Sequence, residues 1–104
     1  MILEVAILDI KSDVKKDMCD EFEATFQQAS KIIAAIPGYL SHELQKCIEV
    51  PNRYILLVRW ETLEAHTIGF RESPEYQEWK RLLHHFYDPF PVVEHYYSIL
   101  RSGI

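Results

Sequence analysis

The segment from Arg53 to Trp60 constrains the fold more than any other part of this 104-residue chain. Successive side chains of a strand point to opposite faces, and one face of this segment carries Tyr54, Leu56, Val58 and Trp60. The opposite face carries Ile55 and Leu57, so apolar side chains project from both sides. A strand that is apolar on both faces is covered on both. We therefore predict a central strand of a sheet.

Three other segments have the pattern of strands. Ile2 to Ile10 alternates with a period of two, and Val92 to Leu100 closes the chain in the same way. Tyr39 to Val50 forms the second strand, and Pro51-Asn52 makes the turn that follows it. Strict alternation divides the second strand into two faces. One face is predicted to carry Leu40, His42, Leu44, Lys46 and Ile48, and the other Tyr39, Ser41, Glu43 and Gln45.

The segments between these strands have helical periodicity. After Lys11-Ser12-Asp13, a helix-start signal, apolar residues recur every three or four positions from Val14 to Ile36. Pro37-Gly38 ends that helix because proline cannot continue the hydrogen-bond ladder. Thr62 to Arg71 is interpreted as a short helix, and Ser73-Pro74 as the N-cap and first turn of another. The inner stripe of this last helix is predicted to contain Tyr76, Trp79, Leu83 and Phe86.

The resulting order is β, α, β, β, α, β, which is the ferredoxin-like α+β arrangement with a four-stranded antiparallel sheet. A chain of this length has room for one domain, residues 1–104. Both helices of this arrangement cover the same face of the sheet, so the other face is left open. Because soluble monomers seldom expose a large apolar patch, two sheets are expected to pack face to face in a homodimer.

Charge and glycine content exclude several classes of function. Sixteen acidic residues oppose eleven basic ones, and the net charge of −5 disfavours nucleic acid as a partner. No basic segment followed by an apolar one begins the chain, and no eighteen apolar residues run together, so no membrane association and a cytoplasmic location are expected. The five histidines form no HxH, HxxxH or HExxH pattern, so no metal site is predicted. Three scattered glycines provide no nucleotide-binding loop.

Several segments together resemble a known family. Pro37-Gly38-Tyr39 precedes the second strand, and the run from Arg53 to Thr62 is followed by Phe70, by Ser73-Pro74 and by Trp79. This pattern is similar to the antibiotic biosynthesis monooxygenase family, whose members form dimeric α+β barrels, and the resemblance covers nearly the whole chain. The family includes cofactor-free oxygenases of phenols and quinols, heme-degrading enzymes and members without known activity.

The cofactor-free branch implies candidate site residues. This branch has a Trp at the end of strand three, where Trp60 stands, and a Tyr six residues later, where His66 stands. It has an Arg in the last helix, where Lys80 stands, and an Asn four residues before the Trp, where Leu56 stands. The heme-degrading branch has an Asn, a Trp and a His at positions nearest to Ile7, Phe70 and Lys80, so the residues here do not support it.

Each candidate residue has a catalytic and a structural interpretation. Trp60 could stack on a flat substrate, although a large aromatic residue at a strand end is more often core packing. His66 could accept a phenolic proton and so generate a phenolate that reacts with oxygen, or it could bond a backbone carbonyl. His42 and His95 lie on apolar strand faces, and each either is satisfied structurally or lines the pocket. His84 and His85, near the end of the last helix, are interpreted as structural.

Two hypotheses follow. The first is a cofactor-independent monooxygenase that holds a small phenol or quinol between the sheet and the helices. Trp60 and Phe70 would form apolar walls, His66 would be the base, and His42, Lys80 or His95 would anchor a polar group. The second is a non-catalytic dimeric module, stress-related or binding a small ligand, which Leu56 favours because a phenolate needs positioned donors.

Overall fold

The chain forms a two-layer α+β structure in a computed structural model that describes residues 1–11 and 18–103. The strands are β1 (Ile2–Asp9), β2 (Tyr39–Lys46), β3 (Arg53–Trp60) and β4 (Val93–Tyr96). The helices are α1 (Met18–Ile33) and α2 (Pro74–Leu83). A π-helical segment, Ala65–Phe70, lies between β3 and α2, and a single 3-10 turn, His84–Phe86, follows α2.

The sheet confirms the predicted ferredoxin-like topology. Its strand order is β2-β3-β1-β4, and each neighbouring pair is antiparallel. The strands β1 and β3 pair along their whole length, from Ile2 opposite Trp60 to Asp9 opposite Arg53. The strand β3 therefore lies inside the sheet, as its two apolar faces predicted.

One face of the sheet packs on both helices and forms the core. The sheet contributes Ala6, Leu8, Tyr54, Leu56, Val58 and Trp60, and the helices contribute Phe22, Phe26, Ala29, Ile33, Trp79 and Leu83. The helix-facing positions of β1 are thus the even-numbered ones, and these include Glu4, which is buried. The opposite face of β1 and β3 carries Leu3, Val5, Ile7, Ile55 and Leu57. We call these five residues the open face.

A bulge in β2 overturns part of the predicted face assignment. Tyr39 pairs with Trp60, whereas the next pair joins Ser41 to Arg59, so one residue is inserted between them. An inserted residue reverses the alternation on one side of it. Tyr39 therefore lies on the helix-facing side with His42, where the sequence pattern had separated the two.

Other boundaries differ from the prediction by a few residues. The second strand ends at Lys46 rather than Val50, and the fourth has four residues rather than nine. The helix-start signal after Lys11 and the first apolar position, Val14, lie outside the described residues. Gly38 has a φ of +89°, which agrees with its predicted place just past a helix.

The described part of the chain, residues 1–11 and 18–103, has no helix with the length and apolar character needed to cross a membrane.

Candidate functional site

A cavity of about 360 Å³ lies between the helix-facing side of the sheet and α2. The wall has both apolar and polar side chains. The apolar ones are Ala6, Leu8, Leu56, Phe70, Trp79, Phe90, Pro91 and Val93. The polar ones are Glu4, His66, Arg71, Tyr76, His84 and Tyr87. A cavity that combines an apolar wall with polar groups is typical of a small-molecule site.

The buried carboxylate of Glu4 is the most unusual group in this wall. Its side chain is only 5% exposed, and its Oε1 accepts a hydrogen bond of 2.9 Å from Nε1 of Trp60. The same oxygen lies 3.3 Å from Nε2 of His66. Burial raises the pKa of Glu4 to about 6, and the bond from Trp60 and the charge of Arg71 oppose that shift. A carboxyl group that titrates near neutral pH can act as a general acid or base.

The imidazole of His66 links Glu4 to a second histidine. Nδ1 of His66 lies 2.7 Å from Nε2 of His95, and the ring stacks on the indole of Trp60 with centroids 5.3 Å apart. His66 is 3% exposed, and burial, with smaller effects from Arg71 and His95, lowers its pKa to about 3. It is therefore a neutral ring at pH 7, with both nitrogens in contact with partners.

Three elements bring this cluster together. Glu4 of β1 and His95 of β4 are direct partners across an antiparallel pair, so their side chains lie side by side on the helix-facing surface. The π-helical segment supplies His66 and ends where the N–H of Arg71 donates to the carbonyl of His66 over 3.1 Å. This hydrogen bond joins residues five positions apart, which is the widened turn of a π-helix. Such turns often occur at functional sites.

Two further cationic or basic groups line the cavity. Burial has the largest effect on the pKa values of Glu4, His66 and His95, and the charge of the exposed Arg71 adds a smaller effect that lowers each of them. His84 lies just past α2, and its pKa is lowered by burial and by Lys80. The wall therefore offers a fixed positive charge and a neutral imidazole beside the buried acid.

The structure brings four of the six predicted site residues together. His66 and Phe70 line the cavity directly. Trp60 lies behind His66, where it packs on that ring and donates to Glu4, so it combines the predicted core role with a contact to the site. His95 is not part of the cavity wall, but it contacts His66 and is the cross-strand partner of Glu4.

The other two predicted residues, His42 and Lys80, lie elsewhere. His42 contacts the hydroxyl of Tyr39 through Nδ1 and lies 2.9 Å from Oγ of Ser30 through Nε2. It lines a separate surface groove between α1 and β2. Lys80 is exposed on α2 and is absent from the cavity wall. Neither residue is placed to anchor a ligand in the cavity.

Sequence reasoning missed Glu4, Arg71 and the contribution of His84 to the wall. Glu4 had a detectable signal, because an acidic residue stands on the same face as Ala6 and Leu8 in a strand with two apolar faces. A carboxylate in such a position requires a buried donor. The donor, Trp60, lies 56 positions away and could be identified only from the register of β1 and β3.

Metal-binding geometry is absent from residues 1–11 and 18–103, where no group of three or more His, Cys, Asp or Glu side chains could hold an ion. The expectation that the protein uses no metal stays a prediction.

Comparison with known sequences gives a consistent result. The family model of antibiotic biosynthesis monooxygenases matches residues 6–82. The uncharacterised Bacillus subtilis protein YczJ is 54% identical over 99 residues, which are 95% of this chain and 100% of YczJ. Protein SchA of Streptomyces halstedii is 28% identical over 100 residues, which are 94% of this chain but only 24% of SchA.

Solved structures share the same fold. A proposed antibiotic biosynthesis monooxygenase from Bordetella bronchiseptica has a TM-score of 0.85 at 32% identity, covering 95% of this chain and 97% of that one. SnoaB, a cofactor-independent oxygenase from Streptomyces nogalater, has a TM-score of 0.70 at 18% identity, covering 99% and 95%. The second similarity is one of fold alone.

Proposed function

Because the chain belongs to the antibiotic biosynthesis monooxygenase family, we propose that it is a cofactor-independent monooxygenase acting on a small phenol or quinol. The observation that carries this proposal is the buried acid Glu4, in contact with His66, in the wall of a cavity that also has apolar and aromatic side chains. An aromatic ring fits the apolar wall, and its hydroxyl group would meet the polar pair.

The proposed reaction needs only substrate, oxygen and a base. The base accepts the proton of the hydroxyl group, and the electron-rich phenolate then reduces O₂. Oxygen adds to a ring carbon, and loss of water leaves a carbonyl group there. One phenol and one O₂ are thus converted into one quinone and one water, and one quinol and one O₂ into one hydroxyquinone and one water, without an external reductant. Arg71 lies close enough to stabilise the negative charge that forms on the substrate.

Oxygen uptake tests the proposal directly. Purified protein, confirmed to be free of metal, is mixed with a panel of naphthols and hydroquinones while dissolved oxygen and quinone absorbance are recorded. We expect uptake above the buffer rate and one quinone formed for each O₂ consumed. Uptake no faster than in buffer for every substrate in the panel would remove the proposal.

A second function is favoured by Leu56. This residue is buried and lines the cavity at the position where the cofactor-free branch has an Asn, so an expected polar donor is missing. A module that binds a small apolar ligand without converting it, in a stress response or otherwise, would not need that donor. A ligand that stays bound through purification and forms no product with O₂ would support this alternative.

We further propose that the protein acts as a homodimer. The open face, Leu3, Val5, Ile7, Ile55 and Leu57, forms a continuous apolar surface on the two central strands. Ile7 is 43% exposed in the single chain. A second copy packed sheet to sheet would cover this surface and give the barrel that the family resemblance implies.

A further inference from the structure

We infer that the proton acceptor in the cavity is Oε2 of Glu4 rather than His66, and that His66 and His95 are positioning residues that hold this carboxylate. The inference deepens the proposed monooxygenase function and rests on it for the identity of the substrate class. It replaces the role that sequence similarity suggested for His66.

Both ring nitrogens of His66 already have partners. Nε2 contacts Oε1 of Glu4, and Nδ1 contacts His95. A substrate hydroxyl group would have to displace one of these partners to reach the ring. Glu4 differs, because Trp60 and His66 both contact its Oε1. Its Oε2 makes no hydrogen bond within residues 1–11 and 18–103, although Glu4 lines the cavity.

The contacts of Glu4 favour one proton arrangement in the two histidines. An ionised Glu4 can only accept, so the tautomer that suits the 3.3 Å contact has its hydrogen on Nε2 of His66. In that tautomer Nδ1 of His66 has no hydrogen and accepts from Nε2 of His95. The carboxylate thus favours one tautomer in each ring. In other proteins too, hydrogen-bond partners behind a functional carboxylate or imidazole hold that group in its orientation.

The pKa values of Glu4 and His66 also favour Glu4 as the base. The titratable and charged groups around Glu4 are His66, Arg71, Tyr76, His84, Tyr87 and His95. His66, with a pKa of about 3, takes up a proton only in strong acid and is a poor base at pH 7. Glu4, with a pKa of about 6, is mostly ionised at pH 7 yet basic enough to accept a proton transiently. Burial raises the pKa of Tyr87, so this phenol does not compete as a base.

The proton transfer is balanced without another reagent. The substrate O–H bond breaks, its electron pair stays on the phenol oxygen, and a new O–H bond forms on Oε2 of Glu4. The negative charge therefore moves from the carboxylate to the phenolate, and the total charge of the cavity is unchanged. The same carboxyl group can return its proton when water leaves the oxygenated ring.

A binding experiment tests the inference without turnover. The probe is 4-methylphenol, whose hydroxyl group, like that of tyrosine, ionises at about pH 10 and is neutral throughout the titration. Isothermal titration calorimetry measures its affinity from about pH 5 to pH 8 under nitrogen. Because an ionised acceptor bonds a hydroxyl group more strongly than a neutral one, we expect about five- to tenfold weaker binding at pH 5 than at pH 7.

Matched variants assign that pH dependence to a residue. Glu4→Gln keeps an oxygen that accepts from Trp60 but cannot ionise, so binding should become independent of pH in this range. His66→Gln keeps a donor for Glu4, so the pH dependence should remain. Circular dichroism confirms that each variant is folded. The reverse pattern, or no binding of 4-methylphenol to the parent protein, would overturn the inference.

Steady-state kinetics separates this inference from the proposed function. For a substrate that the parent protein oxidises, Glu4→Gln should lower kcat by about 10²- to 10⁴-fold, which is the usual contribution of a general base. His95→Phe should shift the acid limb of the kcat/KM profile, and His95→Gln, which restores a donor to His66, should return it. If the parent protein binds 4-methylphenol with the expected pH dependence and yet oxidises no substrate, the monooxygenase proposal is ruled out. Glu4 then remains the acceptor in the cavity.

Discussion

Trp60 acts on the site through one N–H group and one ring face. Its Nε1 donates to the carboxylate of Glu4, and its ring supports the imidazole of His66. The hydrogen bond lowers the pKa of Glu4, against the larger opposite effect of burial. Trp60, which the family resemblance predicted as a wall for a substrate, therefore lies one layer behind the cavity wall.

Replacing Trp60 with Phe should raise the pKa of Glu4 above its value of about 6, because the ionised carboxylate loses a donor. The lost bond and the smaller ring should also lower the free energy of unfolding by about 1–3 kcal/mol. Carbon-13 NMR of labelled glutamate side chains follows the titration. Trp79→Phe is the control. Trp79 is likewise a buried indole, and it lies in the cavity wall, but it makes no bond to Glu4. Equal titration curves for the two variants would contradict the expectation.

His66 and Glu4 should each make the free energy of unfolding depend on pH, and the two effects should have opposite signs. The pKa of His66 falls from 6.5 to about 3 on folding, so its contribution is present above pH 6.5 and is lost as the pH falls towards 3. The pKa of Glu4 rises from 4.5 to about 6, so its contribution is present below pH 4.5 and is lost as the pH rises through 6.

The shift of His66 is the larger of the two, so its substitution should change the acid response. Between pH 7 and pH 4 the histidine contributes a loss of about 3 kcal/mol to the free energy of unfolding. In His66→Gln this loss should disappear, and the variant should tolerate acid better relative to its own stability at pH 7. Urea titrations at the two pH values measure the difference. His85→Gln, a change at an exposed histidine outside the cavity wall, is the control.

Part of the candidate site could be predicted from the sequence, and part could not. His66, Phe70 and Trp60 were predicted because the family resemblance aligns positions along one strand and the segment after it. Glu4 was not predicted because its partners are far away in the sequence. Trp60, His66 and His95 lie 56, 62 and 91 positions after it. Only the pairing of β1 with β3 and β4 brings these side chains together. A local pattern contains no information about such pairing.

At the scale of elements, the predictions succeeded where local signals determine the structure. The strand β3 has the predicted bounds, and α2 begins at Pro74 with Ser73 as its cap, whose Oγ accepts from the N–H of Tyr76 over 3.1 Å. The bulge in β2 was missed, since it depends on how Tyr39 fits against Trp60 in the neighbouring strand. The last strand was predicted too long, because only four of its residues find a partner in β1.

The π-helical segment depends on a close approach by the turn before β2. Gly38 has a φ of +89°, and a Cβ added there would lie 2.6 Å from Cβ of Ala65, the first residue of the segment. The carbonyl of Gly38 also accepts from the N–H of Glu61 over 2.8 Å. The turn and the segment that carries His66 are thus locked together, with no space for a side chain between them.

Gly38→Ala should therefore weaken both the fold and the site. The positive φ and the contact with Ala65 should together lower the free energy of unfolding by about 1–3 kcal/mol, and the shifted segment should weaken binding of 4-methylphenol. Gly69→Ala is the control within the π-helical segment, because the nearest atom to its added Cβ lies at an ordinary 3.7 Å. Thermal unfolding and calorimetry compare the two. A Gly38→Ala protein as stable as Gly69→Ala would mean that the turn and segment are not coupled.

At the scale of the whole molecule, the two faces of the sheet have separate tasks. The helix-facing side contains the core and the cavity with its buried acid. The open face is apolar at positions 3, 5, 7, 55 and 57, with Asp9, Arg53 and Arg59 at its ends on the same side, and the helices pack on the other side of the sheet. The surface of the proposed dimer and the candidate site thus lie on opposite sides of the same two strands.

The proposed homodimer gives the clearest test at this scale. Burying ~600 Å² of apolar surface per subunit, at about 25 cal/mol per Å², contributes on the order of 15 kcal/mol before association costs of similar scale. Sedimentation equilibrium at micromolar protein should therefore report about twice the chain mass of 12.3 kDa. Leu57→Glu places a charge in the centre of the open face and should give monomers. Leu63→Glu, at an exposed position after β3, should leave the dimer intact. A parent protein of single-chain mass would mean that the open face is covered in another way and that the barrel does not form.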